Sequence, residues 1–313
     1  LAIVTAALPQ LDRDALLVAD GGLETSLIYG QGVDLPDFAA FVLLEDAAGR
    51  AALRAYFGPY LALARERGVG MVLDTPTWRA NPDWGARLGY DADALARVNS
   101  DAVAFARLLR DDAGAGGPVV ISGVVGPRGD GYVVGELMSA EAARRYHAPQ
   151  VDAFAGAGAD LATAVTMTYA EEAIGIVTAA HGAEIPVAIS FTVETDGRLP
   201  SGQPLREAIE QVDEATAGEA AYFMVNCAHP THFAQVLEDD GAWRERIRGI
   251  RANASRLSHA ELDVAEELDD GDPEELGQQY LALRERLPRL SVVGGCCGTD
   301  HRHVAAICAA LDA

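Results

Sequence analysis

Three cysteines carry the most specific chemistry in this chain. Cys296 and Cys297 are adjacent in Gly294-Gly295-Cys296-Cys297-Gly298-Thr299, and Cys227 lies upstream in Asn226-Cys227-Ala228-His229-Pro230. Adjacent cysteines between glycines make poor core residues and awkward disulfide partners, but good neighbouring ligands for a soft metal. Three thiolates leave a tetrahedral Zn2+ with one position free, the form of a catalytic site rather than a closed structural one. Zinc lowers the pKa of a thiol that takes the open position, so a substrate thiol binds there as thiolate at neutral pH. Such a sulfur attacks a methyl group on an onium sulfur or nitrogen, and the protein's task is then mainly orientation. The turn Asp20-Gly21-Gly22 offers a carboxylate for a substrate ammonium, and Asp74, Asn226 and Asn253 are further candidates for substrate binding.

These residues need a scaffold that brings distant loops together. Eight short apolar runs recur along the chain: Leu16 to Asp20, Val69 to Asp74, Val119 to Gly123, Leu161 to Thr166, Val187 to Phe191, Tyr222 to Asn226, Ile247 to Asn253 and Ser291 to Gly294. Near-continuous apolar strands imply burial on both faces, as in parallel sheets. Helical patterns intervene at Leu53 to Arg67, Leu95 to Leu109, Ala140 to Ala157, Glu171 to His181 and Pro273 to Arg286. The alternation predicts an α/β chain closed as one (β/α)8 TIM barrel over residues 1–313, with an open doubly wound sheet as the runner-up. Barrel chemistry sits at the C-terminal ends of strands, where Asp20, Asp74, Asn226, Cys227, Asn253, Cys296 and Cys297 all fall. The acidic segment Glu261 to Glu275 reads as a solvated connection before the eighth strand.

Composition narrows the function classes. A net charge of −23 over 313 residues disfavours nucleic acid and anionic membrane as partners. No apolar run reaches the ~18 residues of a membrane span, and Leu1 to Leu8 lacks the basic flank of a signal peptide. Four cysteines without framework spacing predict a reducing, cytoplasmic setting, and Cys308 lies on an apolar helical stripe. Every basic residue apart from histidine is arginine. The absence of lysine excludes Schiff-base and pyridoxal phosphate chemistry and a P-loop, each of which needs an amine. The expected partners are therefore a small-molecule thiol acceptor and a small methyl donor; oligomeric state leaves no mark in the sequence.

With these residues in place the chain resembles the homocysteine S-methyltransferase family, zinc-thiolate barrels that methylate homocysteine to methionine. The resemblance runs from Asp20 to about Ile307. It rests on Asp20-Gly21-Gly22-Leu23, Gly123 to Pro127, Gly158-Ala159-Asp160-Leu161, Ile189-Ser190-Phe191-Thr192, Val225-Asn226-Cys227 and, most specifically, Gly294 to Thr299. It implies Cys227, Cys296 and Cys297 as zinc ligands, Asp20 as the homocysteine-binding aspartate and Asn253 as the asparagine after strand seven. It also implies a donor of the S-methylmethionine, S-adenosylmethionine or betaine type. The chain departs from the family pattern where Val165-Thr166 replaces Glu-Thr, where Thr75-Pro76-Thr77 replaces Thr-Asn-Thr, and in a shortened loop after Pro127. Val165 removes a carboxylate from the expected ammonium site, with Asp74 the best candidate to compensate. Two other readings follow: a related zinc-thiolate alkyltransferase acting on a different thiol, and a non-catalytic protein whose structural zinc takes His229, His301 or His303 as fourth ligand. Trp78 and Trp84 could wall a cationic donor, and Tyr29 and Tyr132 are rim candidates.

Overall fold

The computed structural model describes residues 8–114, 116–265 and 267–312. All but the last residue of the apolar stretch Leu1 to Leu8 lies outside them. Eight parallel strands close into a barrel in sequence order: β1 (Leu17–Val18), β2 (Gly70–Asp74), β3 (Val119–Val125), β4 (Leu161–Met167), β5 (Val187–Phe191), β6 (Tyr222–Asn226), β7 (Ile247–Ala252) and β8 (Val292–Gly295). β1 closes the ring, with Leu17 opposite Gly70 on one side and Val292 on the other. It is shorter than the apolar run Leu16 to Asp20 suggests. Beyond Val18 the chain hydrogen-bonds towards β8, where the Ala19 amide donates to Val293 O (2.7 Å) and the Gly295 amide to Asp20 O (2.8 Å).

Side chains alternate along each strand between the barrel interior and the helical shell. The inner layer contains Leu17, Val72, Val120, Leu161, Ala188, Met224 and Val292, with Leu8 packed against them. Two residues further along, the same faces turn polar: Asp74, Ser122, Thr163, Ser190 and Asn226 are all buried. The Ser122 and Thr163 hydroxyls lie 2.7 Å apart. Strands β2 to β6 thus have an apolar N-terminal half that fills the barrel and a polar C-terminal half that can face a ligand.

The five predicted helices are present, two with the expected bounds (Ala140–Ala157 and Pro273–Arg286) and three longer (Ala47–Arg67, Ala92–Ala113 and Ala170–Gly182). Ala47–Arg67 begins at Asp46, whose carboxylate accepts from the Gly49 amide (2.7 Å), and stops at Gly68 in the left-handed region (φ 67°). Leu205–Ala215 and His301–Ala310 add two more, the latter burying Cys308. After β6 the helix is reduced to Pro230–Phe233 and short 3-10 turns, in keeping with Pro230 at its start and the acidic, glycine-containing run that follows. Among the described residues no helix is long and apolar enough to cross a membrane.

Candidate functional site

The three sulfurs meet at the C-terminal mouth of the barrel. Cys227 follows β6, Cys296 and Cys297 follow β8, and the three Sγ atoms lie within 4.8 Å of one another. The backbone of β7, which runs between them, holds both loops. The Cys227 amide donates to Arg251 O (3.0 Å), the Cys296 amide to Ala252 O (2.8 Å), and the Ala254 amide to Cys297 O (3.1 Å). Cys227 is held at φ 56°, and Thr166 in the bulge of β4 at φ 64°. Left-handed backbone at a non-glycine residue costs about 1–3 kcal/mol and persists only where neighbours impose it. Asn226 is one such neighbour. Its Oδ1 accepts from the Thr166 amide (2.9 Å) and Ser190 Oγ (2.6 Å), and its Nδ2 donates to Thr166 Oγ1 (2.9 Å) and faces Cys296 Sγ at 4.0 Å. Behind Cys227, His259 Nε2 lies 2.7 Å from the Cys227 carbonyl oxygen.

The donor set fits a tetrahedral metal. Cys227 Sγ and Cys297 Sγ are 3.7 Å apart, against an edge of about 3.8 Å for a tetrahedron of sulfurs around zinc. Hydrogen bonds from Cys227 and Cys297 hold Cys296 well below the usual thiol range, and those same contacts push Cys227 well above it. Among the described residues no histidine or carboxylate joins the cluster. His229 caps its helix, with Nδ1 2.8 Å from Thr231 Oγ1, and His303 is tied to Asp300 in a capping box. The Tyr132 hydroxyl lies 3.1 Å from Cys227 Sγ and 3.4 Å from Cys297 Sγ, its ring stacked on His259 at 4.2 Å between centroids.

Gly21 and Gly22 join this rim to β1. A Cβ at Gly22 would lie 2.6 Å from Cys296 O, and one at Gly21 the same distance from Thr299 O. Their role in the geometry is close approach of the β1 turn to the cysteine loop.

Beside the sulfurs lies a second cluster, whose cation Arg251 interacts electrostatically with Cys296. Arg251 on β7 reaches across the barrel and bridges two carboxylates, its Nη2 on Asp20 Oδ1 and its Nη1 on Asp74 Oδ2. Its Nε donates to Gly295 O (3.2 Å). Tyr56 donates to the remaining oxygen of Asp20 (2.9 Å). Asp74 Oδ1 is buried and has no partner. Burial works against the Arg251 charge, but Asp20 and Asp74 outweigh it and raise its pKa. Burial also pushes the Asp20 carboxyl up to about 6, with Arg251 opposing.

Sulfurs, carboxylates and Arg251 line one cavity of ≈ 350 Å³, a volume suited to small-molecule ligands. Of the residues singled out from the sequence for the site, Asp20, Gly21, Gly22, Asp74, Asn226, Cys227, Cys296 and Cys297 line it; Asn253 does not. β7 ends at Ala252, so Asn253 falls beyond the last inward position. There its amide donates to Ala228 O (3.1 Å) and its Oδ1 is buried without a partner. Val165 lines the cavity as an apolar wall. The acidic segment Glu261 to Glu275 is more than a solvated connection, since Leu262, Leu268 and Asp269 also line the cavity. The tryptophan pair expected to wall a cation is already occupied: the Arg79 guanidinium lies 4.5 Å from the Trp78 ring centroid and 3.5 Å from that of Trp84.

Sequence reasoning missed Arg251, Arg79 and His259. The available signal for Arg251 was that its strand is the least apolar of the eight. A cation at an inward position of a closed barrel needs buried carboxylates, and Asp20 and Asp74 stand at the ends of β1 and β2.

Comparison with known proteins agrees with the geometry. The homocysteine S-methyltransferase profile matches residues 17–311. The homocysteine S-methyltransferase of Escherichia coli (strain K12) is 26% identical, over 95% of this chain and 96% of that protein. Crystal structures of the homocysteine methyltransferase MmuM from Escherichia coli share the fold. The metallated form matches with a TM-score of 0.72 at 22% identity, covering 96% of this chain and 97% of that one. The oxidised form matches with a TM-score of 0.71 at 23% identity, covering 94% and 95%. With the family profile matched from β1 to the end of the last helix, the chain belongs to the homocysteine S-methyltransferase family, the methyltransferases whose barrel it shares.

Proposed function

We propose that this enzyme moves a methyl group from a small onium donor to the thiol of homocysteine, giving methionine, with Zn2+ held by Cys227, Cys296 and Cys297. The observation that carries the reading is a three-sulfur cluster with no fourth protein ligand among the described residues, opening on a cavity. The metallated form of the Escherichia coli relative supports a metal there, and a set of three thiolates favours zinc. When bound, zinc supplies a Lewis acid that keeps the acceptor thiol deprotonated at neutral pH.

The reaction forms an S–CH3 bond at the acceptor sulfur as the bond from methyl to the onium centre breaks. The bonding pair leaves with a neutral sulfide or amine, and the thiol proton passes to solvent. The chain's residues orient the partners. Asn226 braces the Cys227 and Cys296 loops, and the rim packing through Gly21 and Gly22 fixes their spacing. For the acceptor ammonium, Asp74 is the carboxylate with an oxygen to give, because both Asp20 oxygens already serve Arg251 and Tyr56. The test is zinc content together with methionine formation from homocysteine and each donor class. Loss of both in Cys297→Ala is expected, and retention of both overturns the reading.

A second reading, a different acceptor thiol at the same zinc site, is favoured by one arrangement: Arg251 satisfies Asp20 internally, and Val165 presents no charge. A survey of thiols against a fixed donor separates the two.

A further inference from the structure

Arg79 lacks the direct ion pair that Arg251 makes, although Asp130, Glu24 and Asp37 act on it electrostatically. It follows β2, lines the cavity, and lies packed over Trp78 and against Trp84. Arg87, stacked on the same Trp84 ring, is paired with Asp37 at 2.9 Å, and Arg128 nearby is paired with Asp83 at 2.8 Å. Arg251 has carboxylates on both of its terminal nitrogens. For Arg79, among the described residues, there is neither an ion pair nor a hydrogen bond, and its Nε is buried without a partner. Asp130, Glu24 and Asp37 act on the guanidinium from a distance, but among the described residues none of them pairs with it, so its N–H donors are left for a ligand.

The packing gives that cation a direction. Ring stacking fixes the guanidinium plane, so a planar anion meets a pre-set fork of N–H donors with little ordering left to do. A guanidinium at the cavity wall repels an onium centre, so Arg79 serves some other part of a substrate. A carboxylate matches the fork in shape and charge. We infer that Arg79 is the carboxylate-binding residue of the cavity, selecting a substrate that carries both a reacting sulfur or onium centre and a carboxylate. This inference rests on the methyl-transfer reading for its substrates. The carboxylate can belong to the onium donor or to the acceptor, and the chemistry at Arg79 is the same.

The experiment compares substrates that differ only in the carboxylate. Donors are dimethylsulfonioacetate and trimethylsulfonium; acceptors are homocysteine and 3-mercaptopropylamine. The zinc-loaded wild type, Arg79→Gln and Arg79→Lys are assayed with each combination. In one of the two pairs, Arg79→Gln lowers kcat/KM for the carboxylated member about 10- to 100-fold, the range set by a hydrogen bond to a charged group. It leaves the other member within about threefold, and Arg79→Lys keeps part of the preference. The pair that responds identifies the donor or the acceptor as the source. Equal losses on both members of both pairs, or no loss on any, overturn the inference.

A binding measurement independent of turnover accompanies it. Because the guanidinium packs on two of the three tryptophans, a carboxylate drawn to it changes tryptophan emission in the wild type. Titration with each of the four compounds is expected to give a saturable change with a carboxylated compound and a much weaker one with its partner. No difference within either pair overturns the inference even if no variant folds. Failure of the methyl-transfer reading would show separately, as no turnover of any combination by the wild type.

Discussion

The two sides of the cavity are built on opposite terms. On the sulfur side, among the described residues, three thiols converge with no histidine or carboxylate joining them. On the carboxylate side, two acids converge on an internal cation, Arg251, with only Asp74 Oδ1 left over. The first cluster is incomplete without a metal. The second is nearly complete without any ligand. A protein that must take up a metal leaves its donors unmatched, whereas one that must keep acids buried at neutral pH supplies the counter-charge itself. If the proposed acceptor site is right, recognition there depends on what Arg251 leaves free.

The largest expected effect is on the sulfur side. Replacing Cys227, Cys296 or Cys297 by alanine strips the metal and abolishes transfer, read as zinc per chain and methionine formed. The fold survives, because the cysteines sit at the rim and not in the barrel core. A variant that keeps zinc and activity would break the contrast at once.

On the carboxylate side the corresponding deletion strikes stability instead. Arg251→Met leaves two buried acids without their cation and is expected to cost about 3–5 kcal/mol in denaturant unfolding. Adding Asp20→Asn and Asp74→Asn should restore most of that loss. If Arg251→Met alone is neutral, the bridge is not what keeps these acids buried.

Within that cluster the two aspartates should differ. Asp74→Asn is expected to raise the homocysteine KM about 10- to 100-fold with zinc retained, since Asp74 holds the unpartnered oxygen. Asp20→Asn should raise it less, because its oxygens serve Arg251 and Tyr56. The reverse order would reassign the ammonium site to Asp20.

The smallest effect concerns His229, just outside the cluster. Burial lowers its pKa to about 4, below the ~6.5 of an unfolded chain. The folded state then binds fewer protons between those values, so this contribution to stability is present above pH 6.5 and is lost as pH falls towards 4. His229→Asn, which retains a capping side chain, should flatten the melting-temperature profile across that window.

How much of this was legible in the sequence depends on the kind of signal. Strand ends were readable because apolar runs stop where the barrel interior turns polar, and that placed Asp20, Asp74, Asn226 and the cysteines at one mouth. The cysteine pair was legible because adjacent thiols between glycines suit few other tasks. Arg251 was not, because its role lies in a contact spanning 231 positions with Asp20 and 177 with Asp74, and a single arginine in a strand reads as an outward charge. Asn253 stands just past β7, as its place after the apolar run implied, but it does not line the cavity. The acidic segment before β8 was read from its charge, whereas Leu262 and Leu268 within it face the cavity. Of the two tryptophans, Trp78 lines the cavity and Trp84 does not, and propensity and spacing cannot say that the chain's own Arg79 lies on both.

The most direct test of the central claim is zinc-edge X-ray absorption on the purified protein with and without homocysteine. The account predicts one zinc with three sulfur neighbours and one lighter atom, changing to four sulfurs when homocysteine is added. A shell with four protein ligands that homocysteine leaves unchanged, or a protein that binds no zinc with its cysteines reduced, would contradict it.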